Sequence, residues 1–285
     1  MSGRIGAGGR AGAAEVRRGR RAARLARYGP WAVVTGATSG IGHAIAVELA
    51  RAGLGLVLAA RDASALAAVR NELGGMVQVH SVAADLSTTD GVKTLTRATA
   101  GLDVGLLVSA AGSGTSGRFL DGDPATELAM LDVNCRTTYR LCREFGARFA
   151  RRGRGGVVLF GSIVGYQGAP RAAHYAATKA YVQTLGEGLH LELGSSGVDV
   201  LVSSPGPVHT GFAATAGMTM ARAMRPEDVA VATLTALGRR TTVTPGGLSK
   251  LLRWSLATLP RNARTRVMGQ VMAAMTAADR RPVPR

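Results

Sequence analysis

The chain has 285 residues, of which 46% are hydrophobic and 19% charged, so it can bury a full core and is neither a disordered nor a fibrous protein. Its two cysteines cannot form a disulfide framework, and no Cys/His cluster has zinc-ligand spacing. The formal net charge of +17 is concentrated at the ends, because residues 1–28 hold eight Arg and one acid, and residues 250–285 hold eight basic residues and one acid. Such ends can attract nucleic acid or anionic lipid, but solvated arginines are the simpler interpretation, and no nucleic-acid partner is expected.

Targeting and membrane-spanning segments are not expected from the sequence. The basic run over residues 17–27 is followed by only a short apolar run, without the h-region or cleavage site of a secretory signal. The longest apolar runs, such as residues 54–60, are far shorter than a membrane span. We therefore expect a cytoplasmic protein.

The predicted elements alternate between strand and helix. Residues 1–15 are rich in Gly, Ala and Arg and are predicted to be a disordered basic tail, followed by a helix over residues 16–28. Strands are predicted at residues 31–35, 54–60, 77–82, 104–110, 156–162, 198–203 and 241–244. Helices are predicted at residues 41–52, 63–73, 88–100, 126–151, 174–193 and 226–239. Seven strands with intervening helices predict one α/β domain over residues 16–247, with a doubly wound parallel sheet covered by helices on both faces.

Residues 248–285 predict a C-terminal extension of two amphipathic helices. Leu248, Leu251, Leu252 and Leu256 recur at helical spacing before Pro260, and a second apolar stripe over residues 267–275 has the same period. Core packing or an oligomer contact explains such stripes most simply. The alternative is a hydrophobic lid or a peripheral membrane contact, because basic residues lie beside the apolar face.

A glycine-rich segment follows the first predicted strand and leads directly into a helix. It reads Thr35-Gly36-Ala37-Thr38-Ser39-Gly40-Ile41-Gly42. Glycines let the backbone turn tightly and approach a pyrophosphate, and the helix N-terminus offers unpaired N–H groups to an anion. Strand, loop and helix in this order predict a dinucleotide site of the Rossmann type rather than a merely tight turn.

The second predicted strand ends at Arg61 and Asp62. An acid at this position of a dinucleotide fold would bind the ribose 2′-OH of NAD, whereas a guanidinium can pair with the 2′-phosphate of NADP. Asp62 can instead cap the following helix. Arg61 therefore favours NADP(H), and Asp62 leaves NAD(H) open.

Three side chains with complementary chemistry follow. Ser162 ends a predicted strand, Tyr175 lies thirteen residues later, and Lys179 follows Tyr175 at i+4. That last spacing puts the phenol and the ammonium on one face of a helix. A nearby ammonium favours the phenolate, so Lys179 is predicted to lower the pKa of Tyr175 towards that of a useful base.

The order and spacing of these motifs resemble the short-chain dehydrogenase/reductase family over residues 31 to about 246. The resemblance extends through Asp85, Ser109-Ala110-Ala111-Gly112, Asn134 and Pro205-Gly206-x-Val208-x-Thr210. It implies that Tyr175 is the general acid/base and that Ser162 polarises the substrate oxygen. It also implies that Lys179 binds the nicotinamide ribose and that Asn134 anchors a water that links Lys179 to solvent.

The same resemblance implies cofactor contacts and an oligomer. The cofactor-binding residues would be Gly36, Thr38, Ser39, Gly40, Ile41, Gly42, Arg61, Asp85, Leu86, Ala111, Gly112, Tyr175, Lys179, Pro205, Gly206, Val208 and Thr210. A homodimer or homotetramer would form through the helices that contain Asn134 and Tyr175. The sequence departs from the family pattern at Ser109, where Asn is usual, and at His209, an unusual neighbour of the nicotinamide.

Substrate choice in this family resides mainly in the segment that here spans residues 207–224. This segment is small and apolar, with Phe212, Met218, Met220 and Met224 and only His209 and Arg222 as potentially charged groups. Such a lining predicts a bulky apolar carbonyl compound or alcohol, lipid-like, steroid-like or acyl, rather than an acidic metabolite.

Two alternatives remain open from the sequence. The chain could be an NAD-dependent member of the same family. It could also be a non-catalytic Rossmann protein that binds nucleic acid or anionic membrane through its basic tails, in which case binding would fall steeply with salt.

Overall fold

The computed structural model describes residues 7–219 and 223–276, which form a seven-stranded parallel sheet flanked by helices. The strand order is β3-β2-β1-β4-β5-β6-β7, and each neighbouring pair is parallel. This topology confirms the predicted doubly wound fold. The strands are β1 (Trp31–Thr35), β2 (Gly55–Ala60), β3 (Val79–Ala83), β4 (Val104–Ser109), β5 (Gly155–Phe160), β6 (Val198–Ser203) and β7 (Thr242–Val243).

The helices lie on both faces of the sheet and at its C-terminal edge. Their bounds are α1 (Ala7–Leu25), α2 (Gly40–Arg51), α3 (Ala63–Gly74), α4 (Thr89–Ala98), α5 (Pro124–Leu131), α6 (Thr137–Arg152), α7 (Ala173–Gly194), α8 (Phe212–Thr215), α9 (Pro226–Ala236), α10 (Gly247–Ala257) and α11 (Arg261–Thr276). None of the described helices has both the length and the apolar character that crossing a bilayer requires.

Two hydrophobic cores cover the two faces of the sheet. Because side chains alternate along a strand, Val34 of β1 packs with α2, α3 and α9, whereas Val33 packs with α4, α6 and α7. The central strands are buried on both faces, which explains their nearly continuous Val/Leu sequences. Both cysteines are buried thiols, and Cys142 packs in the second core.

The N-terminal segment is helical where the sequence predicts a disordered tail. Helix α1 begins at Ala7, so that prediction is wrong for residues 7–15, and residues 1–6 lie outside the described residues. Alanine and arginine have high intrinsic helix propensity, which apolar periodicity does not detect. The end of the helix and the turn that follows it are anchored: Leu25 and Tyr28 are fully buried, and Arg21 pairs with Glu48 of α2.

The long helix predicted over residues 126–151 is interrupted. A π-helical turn at Asp132–Arg136 separates α5 from α6. The extra residue of such a turn rotates the following helix, and π-turns recur at functional sites. This turn places Asn134 and Cys135 in the interior, whereas the neighbouring Arg136 is exposed.

Candidate active site

The C-terminal ends of β1, β4, β5 and β6 open into one cavity of about 760 Å³. Ligands of doubly wound sheets bind at this edge, where the strand order reverses. The cavity extends from the glycine loop after β1, past α7, to helices α10 and α11.

The glycine loop lies directly against the loop that follows β4. Gly36 and Gly40 have φ of +64° and +55°, which disfavours any residue with a side chain. A Cβ on Gly36 would lie 2.9 Å from Cα of Ala111. The hydroxyl of Thr35 accepts a hydrogen bond from the Ala111 N–H at 3.0 Å, so the two loops are fixed together.

The N-cap residue of α2, Ser39, makes no capping hydrogen bond to the first turn of the helix. Its backbone N–H groups therefore remain available to an anion. Ser39, Gly40, Ile41 and Gly42 all line the cavity. A Cβ on Gly42 would overlap the carbonyl of Gly36. The close packing of the glycine loop against the first turn of α2 therefore requires glycine at position 42.

Most of the residues predicted to contact a cofactor line this cavity. They are Gly36, Ser39, Gly40, Ile41, Gly42, Arg61, Ala111, Gly112, Tyr175, Lys179, Pro205, Gly206, Val208 and Thr210. Thr38, Asp85 and Leu86 are not among the lining residues. Leu86 is instead part of the core, and its carbonyl accepts a hydrogen bond from Thr137.

Asp85 is exposed and directs its carboxylate back to its own loop. It accepts hydrogen bonds from the Ser87 hydroxyl at 2.8 Å and from the Ser87 N–H at 3.0 Å. The hydrogen bonds from Ser87 lower the pKa of Asp85, with a smaller contribution from the nearby Arg61 charge. The carboxylate is therefore held ionised near Arg61, which lines the cavity.

Arg61 and Asp62 have different surroundings. Asp62 caps α3 by accepting hydrogen bonds from the N–H groups of Ser64 at 2.9 Å and Ala65 at 3.0 Å. These hydrogen bonds lower the pKa of Asp62. Arg61 lines the cavity and forms no ion pair with the described residues. The helix cap predicted for Asp62 is confirmed, and only Arg61 of the two faces the cavity.

Tyr175, Lys179 and Ser162 meet at the centre of the cavity. Helix α7 carries Tyr175 and Lys179 on successive turns, and both are more than 90% buried. The Lys179 ammonium lies 5.7 Å from the centre of the Tyr175 ring and donates a hydrogen bond to the Phe160 carbonyl at 3.0 Å. Ser162 follows β5, and its hydroxyl accepts a hydrogen bond from the Val164 N–H at 3.4 Å.

The ionisation of this pair differs from the prediction. Burial raises the pKa of Tyr175, and the nearby Ser162 hydroxyl only partly opposes this effect. Burial also lowers the pKa of Lys179 to about 8, so the ammonium is itself destabilised. Lys179 lies against the ring and bonds the Phe160 carbonyl. The prediction that Lys179 lowers the pKa of Tyr175 is therefore wrong for this structure. Desolvation of the phenol raises its pKa by more than the favourable contacts lower it.

Asn134 joins the loop after β4 to helix α7. Its side-chain N–H₂ donates to the Ser113 carbonyl at 2.9 Å and to the Thr178 hydroxyl at 3.0 Å. Its carbonyl accepts from the Ser113 N–H at 3.0 Å. The π-turn thus presents Asn134 to Ser113 and Thr178, and no direct hydrogen bond reaches Lys179.

The opposite end of the cavity is apolar and was only partly predicted. Lining side chains there come from the segment after β6 and from both C-terminal helices: Phe212, Met218, Met224, Leu248, Leu252, Met268, Val271, Met272 and Met275. Helix α11 is tied to that segment by a hydrogen bond from the Thr219 N–H to the Met275 carbonyl at 2.9 Å. The C-terminal helices combine the two predicted roles of core packing and hydrophobic lid. Met268 and Met272 of α11 are buried in one cluster with Tyr175 and also line the cavity.

Some residues singled out from the sequence lie elsewhere. His209 is exposed and does not line the cavity. Met220 and Arg222 lie outside the described residues, as do residues 277–285 of the C-terminal extension. The apolar stripe of α11 in the sequence indicated that one face of this helix is buried. Periodicity alone does not show which surface that face packs against, so its place in the cavity wall could not be predicted.

Comparison with known proteins identifies the family. A profile of the short chain dehydrogenases matches residues 30–221. The chain belongs to the short-chain dehydrogenase/reductase family. It is therefore an oxidoreductase that acts on CH–OH and C=O groups, with a fold that binds a nicotinamide cofactor.

The chain is similar to proteins of this family that have been named or solved. A 7beta-hydroxysteroid dehydrogenase of Clostridium sardiniense is 35% identical over 232 residues, which are 79% of this chain and 88% of the relative. A short-chain dehydrogenase from Sphingobium yanoikuyae, solved in complex with NADPH, is 30% identical with a TM-score of 0.73, covering 90% of this chain and 98% of that one. A 3-ketoacyl-(acyl-carrier-protein) reductase from Brucella melitensis, solved with NADH, is 26% identical with a TM-score of 0.70, covering 78% and 98%.

Proposed function

We propose that this protein is an NADP(H)-dependent oxidoreductase that interconverts a bulky apolar carbonyl compound and its secondary alcohol. One observation carries the proposal. A single cavity contains an arginine at its nucleotide end, the Ser162, Tyr175 and Lys179 side chains at its centre, and an apolar wall at the other end.

The central side chains suit proton transfer to a substrate oxygen. When bound, the nicotinamide supplies or accepts the hydride. Ser162 and Tyr175 both present hydroxyl groups, which can donate hydrogen bonds to a carbonyl oxygen as negative charge develops on it. Burial keeps the Tyr175 phenol protonated, so in the reductive direction it holds the proton that passes to the oxygen. In oxidation the same oxygen atom of Tyr175 receives the alcohol proton.

Lys179 and Asn134 would support the proton transfer that Tyr175 carries out. The Lys179 ammonium lies close enough to the ring to stabilise a developing phenolate, and the Phe160 carbonyl fixes its position. Asn134 would position Lys179 indirectly, because it holds Thr178 on the same helix. We propose Ser162, Tyr175 and Lys179 as catalytic residues and Asn134 as a positioning residue.

The nucleotide end fits a dinucleotide with a 2′-phosphate. The positive φ of Gly36 and Gly40 and the available N–H groups of α2 form a cradle for a pyrophosphate. Arg61 faces the cavity and can pair bidentately with a phosphate, whereas Asp62 is engaged as a helix cap. The NADPH complex of the Sphingobium relative supports this preference, and the NADH complex of the Brucella relative defines the alternative.

The substrate end fits an apolar molecule. Arg61 and Lys179 are the only charged side chains among the described residues that line the cavity. Both belong to the proposed cofactor contacts, so the remaining wall offers no partner for a carboxylate or phosphate of a substrate. The name of the clostridial relative, a hydroxysteroid dehydrogenase, is consistent with a bulky apolar substrate of lipid-, steroid- or acyl-like character.

A homodimer or homotetramer is part of the proposal. Large apolar side chains are exposed on α5 and α6, which flank Asn134, and on α7, which carries Tyr175, namely Leu128, Tyr139, Tyr181 and Leu191. An isologous contact between two copies would cover such a surface.

Removal of the Tyr175 hydroxyl tests the function. We expect NADPH-dependent reduction of a water-soluble bulky aryl ketone, and a fall in kcat of about 10²–10⁴-fold in Tyr175→Phe, because proton transfer is lost while the cofactor site is kept. Tyr181→Phe, on an exposed position of the same helix, is the matched control and should retain wild-type turnover. Unchanged turnover in Tyr175→Phe, or binding of neither NADPH nor NADH by the wild type, would contradict the proposal.

A further inference from the structure

Helix α10 presents an apolar face to solvent. Leu248, Leu251 and Trp254 are 61%, 60% and 70% exposed. They recur at intervals of three residues, so they share one side of the helix. The other side, with Ser249 and Leu256, is buried against the body of the protein. Single exposed apolar residues are ordinary, but an aligned set of this size marks an interaction surface.

The sequence of α10 and α11 is basic and contains no acidic residue. Lys250 precedes Trp254 by one helical turn, and Arg261 and Arg266 are exposed on the helix that follows. None of these three forms an ion pair among the described residues. No Asp or Glu occurs in the sequence between Asp228 and Asp279.

The outer face of α10 is continuous with the cavity wall. Leu248 is exposed and also lines the cavity, and Leu252 lines it one turn further along. A molecule in contact with the outer face is therefore adjacent to the apolar end of the cavity.

We propose that α10 binds the surface of an anionic lipid membrane through Leu248, Leu251 and Trp254, with Lys250, Arg261 and Arg266 next to the headgroups. A helix with an exposed apolar stripe, a tryptophan and flanking cations has the composition of an interfacial helix. A second copy of the chain fits this face less well, because an isologous contact would bring the same cations together, and α10 and α11 contain no acid to pair them. The proposal does not depend on the identity of the substrate.

Vesicle sedimentation with the full chain tests this surface. The wild type should bind vesicles of equal parts phosphatidylcholine and phosphatidylglycerol, and bind much less to phosphatidylcholine alone. Trp254→Ser and Leu251→Ser should each weaken binding about tenfold, the loss expected when one large side chain leaves an apolar environment. Lys250→Gln should weaken it about fivefold. Leu120→Ser, at an 85% exposed position outside this face, is the matched control and should bind as the wild type does.

The basic N-terminal helix is the competing source of lipid attraction. Replacement of Arg17, Arg18 and Arg20 by Gln removes charge from α1 and leaves α10 intact, so most of the binding should remain. Brominated lipids should quench the fluorescence of the wild type but not of Trp254→Phe, because Trp31, the other tryptophan, lies in β1 against His80. Urea unfolding midpoints equal to that of the wild type will show that the variants fold.

Three results would overturn the proposal. The first is full binding by both Trp254→Ser and Leu251→Ser. The second is loss of binding in the α1 variant alone. The third is self-association without lipid that Trp254→Ser abolishes, which would make α10 a contact between copies.

Discussion

The ring of Phe212 packs against the ring of Tyr175, with the centroids 5.4 Å apart and the planes tilted by 45°. Phe212 begins the short helix α8 in the segment after β6, and Tyr175 lies in the first turn of α7. The contact therefore joins the segment expected to select the substrate to the side chain expected to transfer the proton.

Removal of the Phe212 ring should weaken binding of a bulky apolar substrate. An aromatic pair contributes about 1 kcal/mol beyond its buried area, so in Phe212→Ala we expect KM for a bulky ketone to rise about fivefold, with the affinity for NADPH unchanged. Steady-state kinetics and a cofactor titration measure the two effects. Phe119→Ala, at a position that is exposed and outside the cavity lining, should leave both constants unchanged. An equal loss of NADPH affinity would show instead that the ring supports the cofactor end.

Arg61 should decide between the two nicotinamide cofactors. Loss of a charge-assisted contact with a phosphate removes about 1–3 kcal/mol, so Arg61→Ala should raise the Kd for NADPH about tenfold or more and leave that for NADH unchanged. Fluorescence titration with each cofactor measures this, and Arg70→Ala, at an exposed position of α3, is the control. An unchanged Kd for NADPH would favour the NAD-dependent alternative.

The buried Lys179 should make stability depend on pH. Burial lowers its pKa from 10.5 to about 8. Between these values the unfolded chain holds a proton that the folded chain has released, so the unfolded state binds more protons and stability rises with pH. We expect the free energy of unfolding of the wild type, relative to Lys179→Met, to rise by about 3 kcal/mol from pH 8 to 10.5.

Urea unfolding at several pH values measures that difference. Taking the difference between the two proteins is needed because burial also raises the pKa of Tyr175 and of both cysteines, and these groups titrate in both. Lys250→Met, at an exposed position of α10, is the control. A difference that stays constant with pH would mean that Lys179 is solvated in the folded protein.

The end of helix α1 should be essential for stability although it precedes the family match at residue 30. Leu25 is fully buried, and Tyr28 donates a hydrogen bond from its hydroxyl to Asp199 at 2.7 Å. We expect Leu25→Ala to lower the free energy of unfolding by about 2–5 kcal/mol, because it leaves a cavity in the core. Val16→Ala, at an exposed position of the same helix, should change it little. Urea denaturation compares the two, and equal midpoints would show that α1 is dispensable.

Local patterns predicted most of this fold and much of the candidate site. The sheet was predictable because buried parallel strands are continuous apolar runs, and Tyr175 and Lys179 because an i+4 spacing fixes two side chains on one helix face. The glycine loop was predictable because strand, loop and helix follow one another in the sequence.

The remaining features depend on contacts between distant segments or on burial. The π-turn at Asn134 is supported by Ser113 and Thr178, which lie 21 and 44 residues away in the chain. The direction of the Tyr175 pKa depends on desolvation by several elements, which spacing along one helix does not express. The place of α11 over the cavity depends on which surface its apolar stripe meets, and Asp85 turns to its neighbour Ser87 rather than to the cavity.

The apolar end of the cavity contains thioether side chains from two parts of the chain, the segment after β6 and helix α11, namely Met218, Met224, Met268, Met272 and Met275. Each can be oxidised to a sulfoxide, which is polar and able to accept hydrogen bonds. Peroxide treatment should therefore convert a wall that selects apolar molecules into one that holds water, while the glycine cradle, which contains no sulfur, stays chemically unchanged. A methionine sulfoxide reductase should then restore the original selectivity.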